Sequence, residues 1–363
     1  MENNKRALIA MSGGVDSSVA ACLCLEDGFE CIGTTMKLFT NDTAEIPREH
    51  SCCSLDDIED ARDVAFGLGM KYYVLNFTEN FEEKVIKNFV GVYKNGGTPN
   101  PCIECNRYLK FKKLFERADE LDCKYIVTGH YSRIEYDKSS GKYLLKKALD
   151  ETKDQSYVLY FLDQYQLSRI ILPLGNLHKT KVREIAANHG FINSEKPDSQ
   201  DICFVQKGKY SDFIESYTGK KSKHGNFVDK NGNILGEHKG IIRYTIGQRK
   251  GLGIGGTEEP LYVIKKDLKN NTVVLGTKDE LFSSDVYVRN CNFILDEDFS
   301  NPKKISAKLR YRQKEQPCIA ENIGNSTVKL TFDEPQRAVT SGQSAVFYDG
   351  DVVLGGGIIS EAN

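Results

Sequence analysis

The sequence lacks any uninterrupted run of about 18 apolar residues, the length a membrane-spanning helix needs. No membrane partner is therefore expected. It has almost no excess of charge, with 49 Lys and Arg against 51 Asp and Glu. A globally basic nucleic-acid binder is excluded, although a local basic patch is not. The Gly-x-x-x-x-Gly-Lys-Ser/Thr loop and the dinucleotide fingerprint are both missing, which removes two common nucleotide-binding classes. Histidine is scarce, with 6 in the chain. His50, His178, His189, His224 and His238 show no paired metal spacing. No internal repeat or low-complexity tract is present. Met1–Arg6 is polar, and the apolar stretch after it is too short for a secretion signal, so a cytoplasmic protein is expected.

What is present is ordinary globular material. The 363 residues are 40% hydrophobic and 28% charged, enough for two or three domains with proper cores. The 11 cysteines are odd in number. In a reducing compartment they point to thiol chemistry, metal binding or core packing rather than a disulfide framework.

Residues 6–130 alternate between short apolar runs and amphipathic stretches. Strands are predicted at Ala7–Met11, Glu30–Met36, Tyr72–Leu75 and Tyr125–Thr128. Helices are predicted at Ser17–Glu26, Leu55–Leu68, Asn80–Tyr93 and Arg107–Leu121. This alternation implies an α/β fold with a parallel sheet covered on both faces. Residues 131–148 read as a hairpin, and 155–218 as mostly helical. From about Asn226 the chain turns to short strands and Gly/Asn-rich turns. The expected domains are 1–218, 219–283 and 284–363.

Ser12-Gly13-Gly14-Val15-Asp16-Ser17-Ser18 lies between the first strand and the first helix. Two glycines let the backbone turn tightly and approach a ligand. The helix that follows offers free N–H groups and a dipole that favours an anion. The serines add hydroxyl donors. This is the pattern of a phosphate cradle at the carboxyl end of a parallel strand.

Thr98-Pro99-Asn100-Pro101-Cys102-Ile103-Glu104-Cys105-Asn106 precedes the helix at Arg107, so Cys105 is expected at or just before a helix start, where a thiolate is stabilised. Such a thiol can act as a nucleophile. Gly96-Gly97 and the two prolines suggest a loop that reorders over a substrate. Cys203, in Asp198–Phe204, is the second candidate, although nothing local explains its reactivity. Cys52, Cys53, Cys102, Cys105 and Cys203 together also support a rival reading, as ligands of an iron–sulfur cluster or zinc.

The heptapeptide resembles the pyrophosphate (PP) loop of ATP-pyrophosphatases. With Gly33–Lys37, Thr98–Asn106, Thr128–Tyr131, Lys153–Tyr157, Asp198–Cys203, Tyr244–Arg249, Arg310–Gln313 and Ser341–Gln343, nearly the whole chain resembles the bacterial tRNA-specific 2-thiouridylase (MnmA) family. The resemblance implies an N-terminal doubly wound parallel sheet of PP-loop type, a small β-rich central domain and a C-terminal β-barrel. It implies ATP and Mg²⁺ held by Ala10, Met11, Ser12–Ser18, Met36 and Gly129. It implies a wobble uridine of Lys-, Glu- or Gln-type tRNA, adenylated on O2, held near Asn100, Pro101 and Cys102. Cys203 would carry a persulfide from a cysteine desulfurase relay, and Cys105 would attack it, freeing sulfide or closing a Cys105–Cys203 disulfide. The commonest family pattern has aspartate where this chain has Cys102, which leaves the acid/base role open.

Expected tRNA contacts are His130, Lys153, Asp154, Gln155, Arg310, Tyr311, Arg312 and Gln343. Lys308, Arg310, Arg312 and Lys314 alternate with other residues and on a strand would share one face. Tyr131 or Tyr157 would stack on an unstacked base, or else be core. Two other functions remain open at this stage: a PP-loop sulfurtransferase that uses cluster-bound sulfur on another acceptor, and a non-catalytic, metal-carrying tRNA-binding protein.

Overall fold

The computed structural model describes residues 5–39, 55–198, 202–205, 210–256 and 259–362. Cys52 and Cys53 lie outside them. The first part of the chain forms β1 (Arg6–Ala10), α1 (Val15–Glu26), β2 (Glu30–Lys37), α2 (Leu55–Gly67), β3 (Lys71–Asn76) and helical turns over 78–94 and 101–120. It continues through β4 (Tyr125–Thr128), the hairpin β5 (Arg133–Asp137) and β6 (Lys142–Lys146), and β7 (Ile170–Ile171). Strands β3-β2-β1-β4-β7 make one sheet in that order, and every pairing in it is parallel.

The central strands are apolar throughout because both faces are covered. Successive side chains point to opposite faces. Leu8, Ile32 and Ile126 pack with Phe111 and Leu114 on one side. Ala7, Ile9 and Val127 pack with Val19 and Ala20 of α1 on the other. Each large side chain so buried contributes about 1.5–3 kcal/mol.

Downstream, β8 (Gly225–Val228), β9 (Ile234–His238), β10 (Tyr262–Asp267) and β11 (Thr272–Gly276) form a small sheet of order β10-β11-β8-β9. Its core is built on Phe227, Val263 and Val273. Then β12 (Phe282–Phe293), β13 (Lys303–Lys308), β14 (Gln316–Asn322), β15 (Thr327–Arg337), β16 (Ser344–Asp349) and β17 (Val352–Ala362) follow. They run in the order β12-β15-β14-β13-β16-β17, and β12 pairs with β17 to close a barrel. None of the described helices is long and apolar enough to cross a membrane.

Three expectations change. The helix expected from Arg107 begins at Pro101, with Asn100 as N-cap accepting from Cys102 N at 3.2 Å. Cys102 therefore sits in the first turn and Cys105 one turn further in. Second, β13 ends at Lys308 and the chain turns over 309–315, so the four cations do not share a strand face. Third, β7 is a two-residue strand in a region read as helical. At the Gly96-Gly97 loop, Thr98 N donates to Ser341 O at 2.9 Å, and a Cβ on Gly97 would lie 2.8 Å from Val92 Cγ1.

The hairpin β5–β6 joins the barrel sheet rather than the parallel one, through Lys146 against Val352. Arg133 adds a 2.6 Å ion pair to Asp351.

Candidate active site

The carboxyl ends of β1, β2 and β4 emerge together, since Ala10 pairs with both Thr34 and Thr128. They open on a cavity of about 1050 Å³, whose wall includes Ala10, Met11, Ser12, Gly14, Met36 and Gly129. Gly14 is the N-cap of α1, so the first amide groups of that helix are left without intrahelical acceptors. Gly13 has φ of +72°, and a Cβ there would lie 2.4 Å from Asp57 O. A Cβ on Gly129 would lie 2.8 Å from Ser17 N. The loop and the β4 turn are thus fitted backbone to backbone.

The expected hydroxyl donors are partly committed inside the loop. Ser17 Oγ accepts from Ser12 N at 3.1 Å and donates to Gly14 O at 3.0 Å. Ser18 Oγ donates to Gly14 O at 3.2 Å. Asn193 Nδ2 donates to Gly13 O and to Ser18 Oγ, each at 3.0 Å. Gly13 and Ser18 do not line the cavity, whereas Val15, Asp16 and Ser17 do.

Asp16 is held from two sides. Tyr131 OH donates to its Oδ1 at 2.7 Å, and Lys179 Nζ reaches both oxygens at 2.7 and 2.8 Å. Burial and the Asp16 carboxylate push the Tyr131 phenol up, so it stays a neutral donor. Lys179 also pairs with Asp198 at 2.7 Å, and Lys153 pairs with the other Asp198 oxygen at 2.8 Å. Burial pushes the Asp198 carboxyl up, but Lys153 and Lys179 outweigh it and hold it below its ordinary value. A buried lysine thus ties the glycine loop to the segment that leads into Cys203.

Cys102, Cys105 and Cys203 all line this cavity. Cys105 is buried in the apolar cluster around Phe81, Phe89 and Phe204, and Cys203 packs against the same cluster. Phe204 fixes its neighbour there, with ring centroids 5.5 Å from Phe81 and 5.2 Å from Phe89. Cys102 is exposed. Pro101 lines the cavity beside it, and Asn100 is spent as the helix cap.

The expected tRNA contacts divide. His130 lines the cavity but is buried, and burial, with Lys110 nearby, pushes its imidazole well below the ordinary value. It is a neutral group paired with Thr128 Oγ1 at 2.7 Å. Asp154 accepts from Ala148 N and Ser156 N, each at 3.1 Å, and Gln155 Oε1 accepts from Tyr131 N at 2.9 Å. Arg310 does not line the cavity; its guanidinium donates to Ala338 O and, at 3.0 Å, to Thr340 Oγ1. Gln343 donates to Thr98 O at 2.7 Å and braces the Gly96-Gly97 loop. Tyr157 is core, donating to Ser344 O at 2.8 Å. Arg312 and Tyr311 are exposed and line the cavity with Lys308 and Lys314. Burial, then Asp154 and Cys102, push the Tyr311 phenol up, and its ring packs against Tyr157 with centroids 5.9 Å apart.

Several functional residues had no usable sequence signal. Lys179 stands in no motif. Asn106 closed the cysteine motif without a role of its own; its Nδ2 donates to Val158 O at 3.2 Å, while its buried Oδ1 lacks a partner in the cavity wall. Lys110 also reaches the cavity, from a π-helical stretch, Asn106–Lys113. Such widened turns are frequent at functional sites.

Family models match almost the whole chain. A tRNA methyl transferase HUP domain covers residues 5–207, a tRNA methyl transferase PRC-barrel domain 211–277 and an aminomethyltransferase β-barrel domain 283–359. The chain is 49% identical to a tRNA-specific 2-thiouridylase MnmA of Clostridioides difficile, over 99% of both chains. It is 51% identical to MnmA 2 of Caldanaerobacter subterraneus, again over 99% of both. It is 49% identical to the enzyme of the same name from Acetivibrio thermocellus, over 98% of this chain and 99% of that one.

Proposed function

The chain belongs to the tRNA-specific 2-thiouridylase family, and from that premise we propose how its cavity replaces the C2 oxygen of a tRNA uridine by sulfur. The observation that carries the reading is the shared wall: Cys105 and Cys203, far apart in sequence, open on the same cavity as the glycine loop.

A uridine carbonyl oxygen is a poor leaving group. In the proposed reaction O2 attacks the α-phosphate of ATP, pyrophosphate departs, and the oxygen becomes part of a good leaving group. The α1 amide groups and the glycine backbone suit the departing anion. The close backbone packing at Gly13 and Gly129 holds the loop in its turn, which leaves the Gly14–Ser17 backbone facing the cavity for an ATP polyphosphate. Mg²⁺, when bound, would neutralise charge on the pyrophosphate, and Asp16, now held by Tyr131 and Lys179, is the carboxylate that the loop itself would offer it. Met36 and Gly129 would border the adenosine.

Cys203 would carry the sulfane sulfur, delivered by a cysteine desulfurase relay. The terminal sulfur attacks C2 and AMP leaves with the former O2. The Cys105 thiolate then attacks Cys203 Sγ, which releases the thiocarbonyl and forms a Cys105–Cys203 disulfide for an external thiol to reduce. In the alternative order Cys105 frees sulfide first, and sulfide attacks C2. The orphaned Asn106 Oδ1 suits the imide N3–H of a uracil ring and so favours uridine over cytidine. Arg312, Lys314 and Lys308 would meet tRNA phosphates, and Tyr311, exposed in the same turn, would stack on an extruded base. Wobble uridines of Lys-, Glu- and Gln-type tRNA in the cytoplasm are the proposed targets.

Cys203→Ser should abolish 2-thiouridine, measured by mass spectrometry of digested tRNA. It should leave tRNA-dependent ATP–pyrophosphate exchange within about threefold of wild type. Normal thiolation by this variant would sink the persulfide role. Absence of exchange in the wild type would favour a binding protein without turnover.

A second reading has one observation in its favour: Cys102, Cys105 and Cys203 all line the cavity, and three thiols are the number that hold a cluster with one open iron, although among the described residues these three are not gathered closely enough to share a single ion. Iron and sulfide analysis after anaerobic purification separates it from the persulfide route.

A further inference from the structure

Away from the cavity, Cys22, Glu26 and His189 bring a thiol, a carboxylate and an imidazole together, with ligand atoms all within 4.8 Å of one another. Cys22 and Glu26 are one turn apart on α1, and so share a face. His189 is the C-cap of the Lys179–Asn188 helix. Its ring is stacked on Phe191 with centroids 5.6 Å apart, which fixes its orientation.

The spacing of the three donors is informative. Cys22 Sγ lies 3.4 Å from His189 Nε2 and 3.6 Å from Glu26 Oε1, and Nε2 lies 3.4 Å from Oε1. Tetrahedral zinc, with bonds of about 2.3 Å to sulfur and about 2.0 Å to nitrogen and oxygen, sets its donors roughly 3.3–3.6 Å apart. The triangle already has the edge lengths of one face of a zinc tetrahedron. We propose that Cys22, Glu26 and His189 form a Zn²⁺ site that ties α1 to the end of the Lys179–Asn188 helix.

The donor set selects the ion. A thiolate and an imidazole suit zinc, and neither suits Mg²⁺ or Ca²⁺, which take oxygen ligands. On binding, the Cys22 thiol gives its proton to solvent; thiolate and carboxylate together balance the double charge, and no electron moves. Cys22 is 2% exposed, while the Glu26 and His189 side chains are 55% and 39% exposed. The ion therefore sits at the surface with its fourth position open to water. The two helices it joins both begin at the nucleotide loop, one after Gly14 and the other at Lys179, which grips Asp16. The site lies on the order of 15 Å along α1 from that loop, so the ion acts on the scaffold and not on the reacting atoms.

The test is titration of metal-stripped, full-length protein with Co²⁺, whose thiolate charge-transfer and tetrahedral d–d bands report a sulfur-containing site. Wild type should bind one equivalent more than Cys22→Ser or His189→Gln. The cavity thiols are intact in all three proteins, so cobalt bound there cancels in the difference. Cys22 is buried, and its variant tests packing as well; His189 is half-exposed, and its variant keeps the fold. In parallel, Zn²⁺ should raise Tm of wild type by about 2–4 °C and leave that of His189→Gln unchanged. Equal cobalt stoichiometry and equal zinc response in wild type and His189→Gln would overturn the site and leave the three groups a hydrogen-bonded surface cluster.

Discussion

Two walls face each other across the cavity, and they are built on opposite principles. On the sheet side, Asp16, Lys179, Asp198 and Lys153 form a continuous run of ion pairs, and Lys196 pairs with Asp57 and Asp60 at 2.6 Å each. On the barrel side, the 309–315 turn presents exposed Tyr311, Arg312 and Lys314. The first wall fixes where each charge lies before a ligand arrives. The second leaves Arg312 and Lys314 exposed to solvent, which suits a polyanion met along a backbone. Arg310 and Arg312 show that adjacency in sequence does not decide the matter: one braces the barrel and the other faces the opening.

The largest expected effect comes from breaking the interlocked wall. Lys179→Met removes the cation shared by two carboxylates, leaving Asp16 to Tyr131 and Asp198 to Lys153 and Arg183, and adenylation should fall at least about 100-fold, with stability lower by roughly 1–3 kcal/mol after allowing for partial exposure of the acids. The pH dependence follows from the sign of the Asp198 shift. A carboxyl held below its unfolded value adds stability above that value and loses it as pH falls through the folded one. Wild type should therefore lose more stability than Lys179→Met on acidification below about pH 4, read by urea unfolding at a series of pH values. Parallel curves would show that the network does not hold Asp198.

Gly129→Ala tests the fit of the same wall by volume alone. The added methyl meets Ser17 N at 2.8 Å. It should raise the KM for ATP about tenfold while the fold survives at a cost of about 1–3 kcal/mol. An unchanged KM would mean that the β4 turn does not border the nucleotide.

The smallest effect belongs to the open wall. Arg312→Glu should weaken tRNA binding by about tenfold and reduce the salt slope by about one unit, in a filter-binding series. Arg310→Glu should instead lower Tm and leave the slope of the surviving folded protein unchanged. The reverse pattern would exchange the roles of the two arginines.

The architecture of the first sheet was legible because its strands are short, apolar and separated by amphipathic helices. β7 was not, since two residues carry no period. The start of the 101–120 helix was written in Asn100-Pro101, an N-cap followed by proline at the first helical position. The apolar periodicity from Tyr108 onward drew attention past it. The alternating cations near 310 imitate a strand, but Tyr311 and Arg312 fall in a turn, and period two says nothing of where pairing stops. Among site residues, the glycine loop and Cys105 could be read from local pattern, and Cys203 only through the family resemblance. Lys179, Asn106 and the Cys22–Glu26–His189 group could not, because their roles arise from neighbours up to 167 residues away.

The β5–β6 hairpin has a mechanical consequence. β4 ends at Thr128 beside the nucleotide loop, and β5 begins at Arg133 as part of the barrel sheet. Only residues 129–132 separate them, and in that span Gly129 abuts α1 while Tyr131 grips Asp16. The span works as a short, taut strap. A displacement of the barrel would reach the Asp16 carboxylate through four residues, so the proposed tRNA and nucleotide sites would be mechanically linked.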